Sequence, residues 1–175
     1  MLSTLFKPRP AKTAGDALYA ALAAQSREPA FYRAMGVADR IDARFELYCI
    51  HLALLLERLG GKGEQAEEVS QAALDAYVRS LDDVLREVGI GDLSMAKKMK
   101  AVASLLMGRL KNVRDALSPP DAAALAAYLS RTVYAEAGES ADTAPLTAYI
   151  LRAHEALAAQ PLAEILAAKP AWPQP

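Results

Sequence analysis

The run Phe45-Glu-Leu-Tyr-Cys-Ile-His-Leu-Ala-Leu-Leu-Leu56 is apolar on almost every side of a helical wheel. A surface helix shows one apolar stripe and one polar face, whereas a helix apolar all round has to be surrounded. This run falls short of the ~20 apolar residues that span a bilayer, and it carries Glu46 and His51. Other helices of the same chain must therefore wrap it. Alanine and leucine dominate the sequence, β-branched residues are sparse, and no clean segment alternates with period two. With 53% hydrophobic and 23% charged residues in a chain of 175, one domain can bury its own core. The expected fold class is all-α, a single compact domain of about seven or eight helices.

Punctuation along the chain divides these helices. The first is expected from about Gly15 to Gln25, and a short second from Pro29 to the stop at Gly36. Asp42 is placed to cap the enclosed helix, Ala43 to Leu59, which ends at Gly60-Gly61-Lys62-Gly63. A fourth helix, Glu64 to Val88, aligns Val69, Ala73, Leu74, Tyr77, Leu81, Leu85 and Val88 by steps of three and four, with Gly89 as its stop. A fifth starts at Asp92 or Ser94, either of which can cap it, and aligns Met95, Met99, Val102, Leu106, Leu110 and Val113. Ser118-Pro119-Pro120-Asp121 reads as a serine-capped start of the sixth. Gly138 to Thr143 is a loop, Leu146 to Leu157 marks a seventh helix, and Pro161 begins a short eighth. Residues 1–14 read as a flexible N-terminal segment, 15–168 as the helical domain, and 169–175 as a loosely held proline-rich tail.

Several classes of function are disfavoured. A net charge of −1 does not mark a nucleic-acid binder, and no direct DNA binding is expected. Cys49 is the sole cysteine, so no intramolecular disulfide forms and a reducing compartment is the natural setting. The N-terminus lacks the layout of a secretory signal, and a cytoplasmic location is expected. Its apolar start followed by Lys7 and Arg9 has two readings, a frayed end or a peripheral contact with the inner face of the cytoplasmic membrane. No nucleophile elbow, phosphate-binding glycine loop or dinucleotide fingerprint is present. Cys49 and His51 lie two apart on a helix and diverge, so they read as a buried thiol and a hydrogen-bonded, half-buried imidazole rather than metal ligands. No catalytic residue, metal or cofactor is expected.

The charge distribution is more informative than the total. Glu64 to Glu87 is rich in acids, and Met95 to Asp115 is rich in bases. On one reading the two helices pack antiparallel and their rims attract. On the other, the basic face stays free for RNA, lipid headgroups or an acidic protein surface. Met95, Met99 and Met107 are likewise open between core packing and an adaptable surface.

The residues from Asp39 to about Arg114 carry a resemblance. Arg44-Phe45-Glu46-Leu47 leads into Ile50-His51-Leu52 and Arg58-Leu59. Then follow Ala76 to Asp82, Leu85-Arg86-Glu87, Gly89 with Gly91-Asp92, Lys97-Lys98-Met99-Lys100 and Gly108-Arg109. In order and spacing this set resembles the ubiquinol–cytochrome c chaperone family, assembly factors of the respiratory cytochrome bc complex, in a short bacterial form. The resemblance implies a non-enzymatic helical chaperone that binds newly synthesised cytochrome b, with possible ribosome contact near the tunnel exit. It places the client- or partner-facing candidates on Arg86, Asp92, Lys97, Lys98, Lys100 and Arg109, while Arg86, Glu87 and Asp92 could equally lock the turn. A chaperone for a membrane protein needs an open apolar groove with charged edges. The competing reading, a lipid- or small-molecule-binding helical protein, needs a closed internal cavity instead.

Overall fold

Helix α3 (Ile41–Leu59) runs through the middle of the protein, and nearly all of Leu47 to Leu55 is buried in it. The computed structural model describes residues 10–87, 89, 91–138 and 141–175, with the side chains of Asp92 and Leu93 also outside the description. Among the described residues seven further helices surround α3. They are α1 (Pro10–Ser26), α2 (Pro29–Arg33), α4 (Glu64–Glu87), α5 (Asp92–Leu117), α6 (Ala122–Arg131), α7 (Ala144–Ala159) and α8 (Leu162–Leu166). The all-α expectation holds. The apolar start of the chain with Lys7 and Arg9, and Val88 of the fourth stripe, lie outside the described residues.

Specific side chains hold the wrapping helices on α3. Gly15 of α1 abuts Ala72 and Ala73 of α4, and Tyr19 meets Tyr77 at 6.0 Å between ring centres. These pairings rise together, so α1 and α4 run in the same direction. On the far side, His51 meets Tyr149, Arg58 donates to the Leu157 carbonyl at 2.7 Å, and His154 faces Glu57 at 3.2 Å. Helix α7 therefore runs parallel to α3. Helix α5 joins the bundle on α3 through Arg109, whose Nε donates to both carboxylate oxygens of Glu46 at 2.8 and 2.9 Å.

Five local expectations are corrected. Arg40, not Asp42, occupies the cap position of α3, and no side chain caps it; Asp42 lies in the first turn, where a carboxylate meets the positive helix end. Gly91 holds the cap position of α5 without a side-chain cap, while Ser94 Oγ donates back to the Gly91 carbonyl. Asp121 rather than Ser118 caps α6, accepting from Ala123 N and Ala124 N at 2.9 Å, so both prolines precede the helix. Residues 169–175 are not loosely held. Gln160 clasps the Lys169 carbonyl and Ala171 N at 2.7 and 2.8 Å, and Trp172 packs edge-on against His51 at 5.1 Å. Residues 10–14, expected in a flexible segment, are helical.

His51 is wholly buried rather than half-buried, and its hydrogen bonds close on themselves. Ser26 Oγ donates to the Leu22 carbonyl, which assigns the proton on His51 to Nδ1, facing the Leu47 carbonyl at 2.8 Å and Ser26 Oγ at 3.0 Å. Nε2 then accepts from the Tyr149 hydroxyl at 2.9 Å, and that oxygen accepts from Gln25 Nε2 at 3.0 Å. Burial lowers the imidazole pKa from 6.5 to about 4. The folded chain thus refuses a proton that the unfolded chain takes up below pH 6.5. His51 supports stability fully above that value and loses its contribution as pH falls towards 4, an effect of roughly 3 kcal/mol. Urea unfolding of wild type and His51→Gln at pH 7.5 and 5.0 checks this. The wild type should lose more stability between those pH values than the variant, and equal losses would contradict the assignment.

Candidate functional site

The fourth and fifth helices each carry apolar side chains that the core does not take. In α4 the stripe buries Val69, Ala73 and Tyr77, but Leu81 and Leu85 stay only partly covered and Val84 is exposed. In α5 Leu106, Leu110 and Val113 are buried, while Val102 is partly covered and Leu105 is 43% exposed. These leftovers face one another across an open groove of about 500 Å³ at the end of the bundle where α4 turns into α5. Its rim also carries Ile41, which is 65% exposed.

The floor is aromatic. Tyr48 stacks on Tyr77 with ring centres 5.9 Å apart and planes 9° from parallel, and Phe45 lies 6.5 Å from the same ring. Tyr19 approaches Tyr77 from α1. Tyr77 is anchored below by Cys49, whose Sγ lies 3.8 Å from its hydroxyl. Burial pushes the Cys49 thiol far up, which leaves it protonated and unreactive, so the sole cysteine is a packing residue. Rigid aromatic rings present large apolar area at low entropic cost, which suits a surface that must accept varied apolar side chains. The groove is open along one side rather than enclosed, the arrangement expected of a protein-binding groove and not of a closed ligand cavity.

The six residues singled out from the sequence do not share one surface. Lys98 precedes Val102, a residue of the groove lining, by one helical turn. Lys97 and Lys100 lie on the outward stripe with Ser104, Met107 and Lys111. All three lysines are exposed and have no ion pair among the described residues. Arg86 is exposed and donates to Asp82 at 2.7 Å within α4. The Asp92 side chain lies outside the described residues. Arg109 faces inward to Glu46, which is only 7% exposed and also accepts from the Tyr128 hydroxyl at 3.2 Å. The Glu46 carboxylate holds the Arg109 pKa above its ordinary value although desolvation pulls it down.

Attraction between the acidic rim of α4 and the basic rim of α5 does not explain the charge switch. Among the described residues no acid of α4 pairs with a base of α5, because α5 packs on α3 through Arg109 and leaves the groove between. The methionines divide: Met95 is buried and Met107 is 57% exposed. The aromatic floor was not singled out from the sequence, since Tyr77 reads as one more core residue of its stripe. A readable signal existed in Val84 and Leu105, which sit beside their stripes and widen the apolar face beyond what a core needs. No group of three or more metal-ligating side chains occurs among the described residues, and no helix there is long and apolar enough to cross a membrane.

The model of the ubiquinol–cytochrome C chaperone family matches residues 33–172, most of the chain. This protein belongs to that family. The match extends past Arg114 to the docked tail, so the C-terminal helices are part of the family pattern as well as the central region quoted from the sequence. The crystal structure of the Cbp3 homolog from Brucella abortus has the same fold, with a TM-score of 0.86 at 29% identity over 99% of this chain and 97% of that one. No curated protein matches the chain. Family membership supports a chaperone role in assembly of the ubiquinol–cytochrome c reductase complex, complex III, and speaks for a non-catalytic protein. The groove beside the α4–α5 turn is an open apolar surface with charged residues on its edges.

Proposed function

We propose that this protein holds newly synthesised cytochrome b during biogenesis of the cytochrome bc complex, with an apolar segment of the client lying in the groove. The observation that carries the proposal is the groove itself, an aromatic floor flanked by exposed Ile41, Val84 and Leu105 in a member of a complex III chaperone family. A lipid-facing segment of an unassembled membrane protein has apolar surface that aggregates in water, and a groove between helices shields it by the same packing that joins helices in a bundle. The place of action is the cytoplasmic side of the membrane into which cytochrome b inserts. Lys97 and Lys100, exposed on the outward face of α5, are the residues we assign to a ribosomal or membrane-surface contact, and Lys98 to the groove mouth.

Val84→Glu with Leu105→Glu tests the groove. Both side chains are substantially exposed, so stability should change by less than about 1 kcal/mol. Two carboxylates on opposite walls would have to be desolvated by any apolar client. In a strain lacking its own copy of the gene, the double variant should support about one tenth of the wild-type level of bc complex, read by haem spectra and immunoblotting of cytochrome b. Wild-type levels with the folded double variant would remove the groove from the function.

A further inference from the structure

Where α1 and α3 meet, the apolar groove runs into a second hollow of about 270 Å³ lined by Arg27, Tyr32, Arg33, Asp39 and Arg44. The two hollows share Arg27 and Arg44, so they form one continuous surface that changes from apolar to cationic along its length. Arg44 already has an anionic partner, donating from Nε to Asp39 at 2.7 Å. Arg27 and Arg33 have none among the described residues. Three guanidinium groups therefore face one carboxylate, an excess of two positive charges in one hollow. Asp42, the other acid on this rim, is 83% exposed and lies 4.0 Å from Arg40. Two of the three arginines, Arg27 and Arg44, are also held on aromatic faces. The Arg27 guanidinium lies 5.8 Å from the centre of Tyr48, the ring that floors the groove, and that of Arg44 lies 5.9 Å from Tyr32. Stacking on a ring orients the planar fork while leaving its edge donors for an acceptor.

We infer that the occupant of the groove is an apolar helical segment of a protein that carries a carboxylate just beyond its apolar stretch, and that Arg27 and Arg33 receive this carboxylate. This rests on the groove being the client site and adds the polarity of the client. Helices α3, α4 and α5 each supply an exposed aliphatic rim residue to the open trough, a shape that receives a helix with bulky side chains; a single acyl chain would leave those rims in water. The charge excess then sets which way round the segment lies, because a carboxylate at the cationic end is matched and at the other end is not.

Two fluorescein-labelled Leu/Ala-rich helical peptides, identical except for a terminal Glu-Glu or Gln-Gln pair, test the inference by fluorescence polarisation against the full chain and against Arg27→Gln/Arg33→Gln. Both peptides should bind the wild type, with the Glu-Glu peptide about fivefold tighter at low salt, as two partly screened ion pairs provide. The preference should vanish in the double variant and in high salt while the Gln-Gln affinity stays unchanged. Equal affinities for the wild type, or a preference that survives in the variant, overturn the inference while leaving the groove reading intact. Failure of both peptides to bind overturns the groove reading and the inference with it. Phosphatidylglycerol vesicles form the third arm. Vesicle binding that depends on Arg27 and Arg33, with no discrimination between the peptides, assigns the hollow to lipid headgroups and overturns the inference.

Discussion

Gly15→Ala is expected to destabilise the protein by about 2–4 kcal/mol, although alanine is favoured over glycine inside a helix by about 1 kcal/mol. The cause is the close approach of α1 to α4. A methyl group at Gly15 would stand 2.6 Å from the Ala72 carbonyl carbon and 2.7 Å from Ala73 N, backbone atoms that no change of rotamer can move aside. The two helices would have to separate along a seam that includes the Tyr19–Tyr77 contact, at the edge of the groove floor. Gly108→Ala is the matching control. That glycine is exposed in the interior of α5, and a methyl group there meets nothing within 4 Å, so the variant should gain about 0.5–1 kcal/mol. Urea unfolding of the three proteins measures both changes. An unchanged or higher midpoint for Gly15→Ala would show that α1 and α4 are not so closely packed.

The second large effect is expected at the pair that ties α5 to α3. Arg109→Leu leaves the Glu46 carboxylate, 7% exposed, with only the Tyr128 hydroxyl as partner. Stranding a buried charge typically costs about 3–5 kcal/mol, and because Arg109 itself is 25% exposed the expected loss is nearer 2–3 kcal/mol. Converting both residues to leucine should recover most of that loss, since a buried pair gains little over well-packed apolar side chains. The result also separates two roles for Arg109. A packing residue lowers stability and bc complex together, and the double leucine variant restores both. A client contact lowers the complex at unchanged stability, and the double variant does not restore it.

Much of this fold can be read from the sequence because it depends on local periodicity. The all-round apolar pattern of Phe45 to Leu56 requires an enclosed helix, and α3 is enclosed. The stripes of α4 and α5 identify most of their buried residues. Local rules fail where two of them compete for neighbouring residues. Asp121 caps α6 although Ser118 also fits a cap, because the chain turns at residues 118 and 119 and brings Asp121 N back to the Ala116 carbonyl at 2.8 Å, so the helix begins only after that turn. The tail looks unstructured because its contacts, Trp172 on His51 and Gln160 on the Lys169 carbonyl, join segments with no shared pattern.

The site was only half readable. The α4–α5 turn and its basic run lie at the end of the bundle where the groove opens, and Lys98 lies one helical turn before Val102 of its lining. The floor is built from Tyr19, Phe45, Tyr48 and Tyr77 on three helices, and nothing in one helix's periodicity reports what stands opposite it. Arg109 and Lys98 look alike in sequence, and only the buried acid on α3 separates an inward cation from an outward one.

Site-specific photocrosslinking from the groove tests the client site most directly. A photoreactive phenylalanine at Leu105 faces the groove, while one at Met107, two residues on and 57% exposed, faces away from it. Activated in cells making cytochrome b, the probe at 105 should capture newly synthesised cytochrome b, and the probe at 107 should capture little or none. Capture at 107 with none at 105 would contradict the groove as the surface that receives the client.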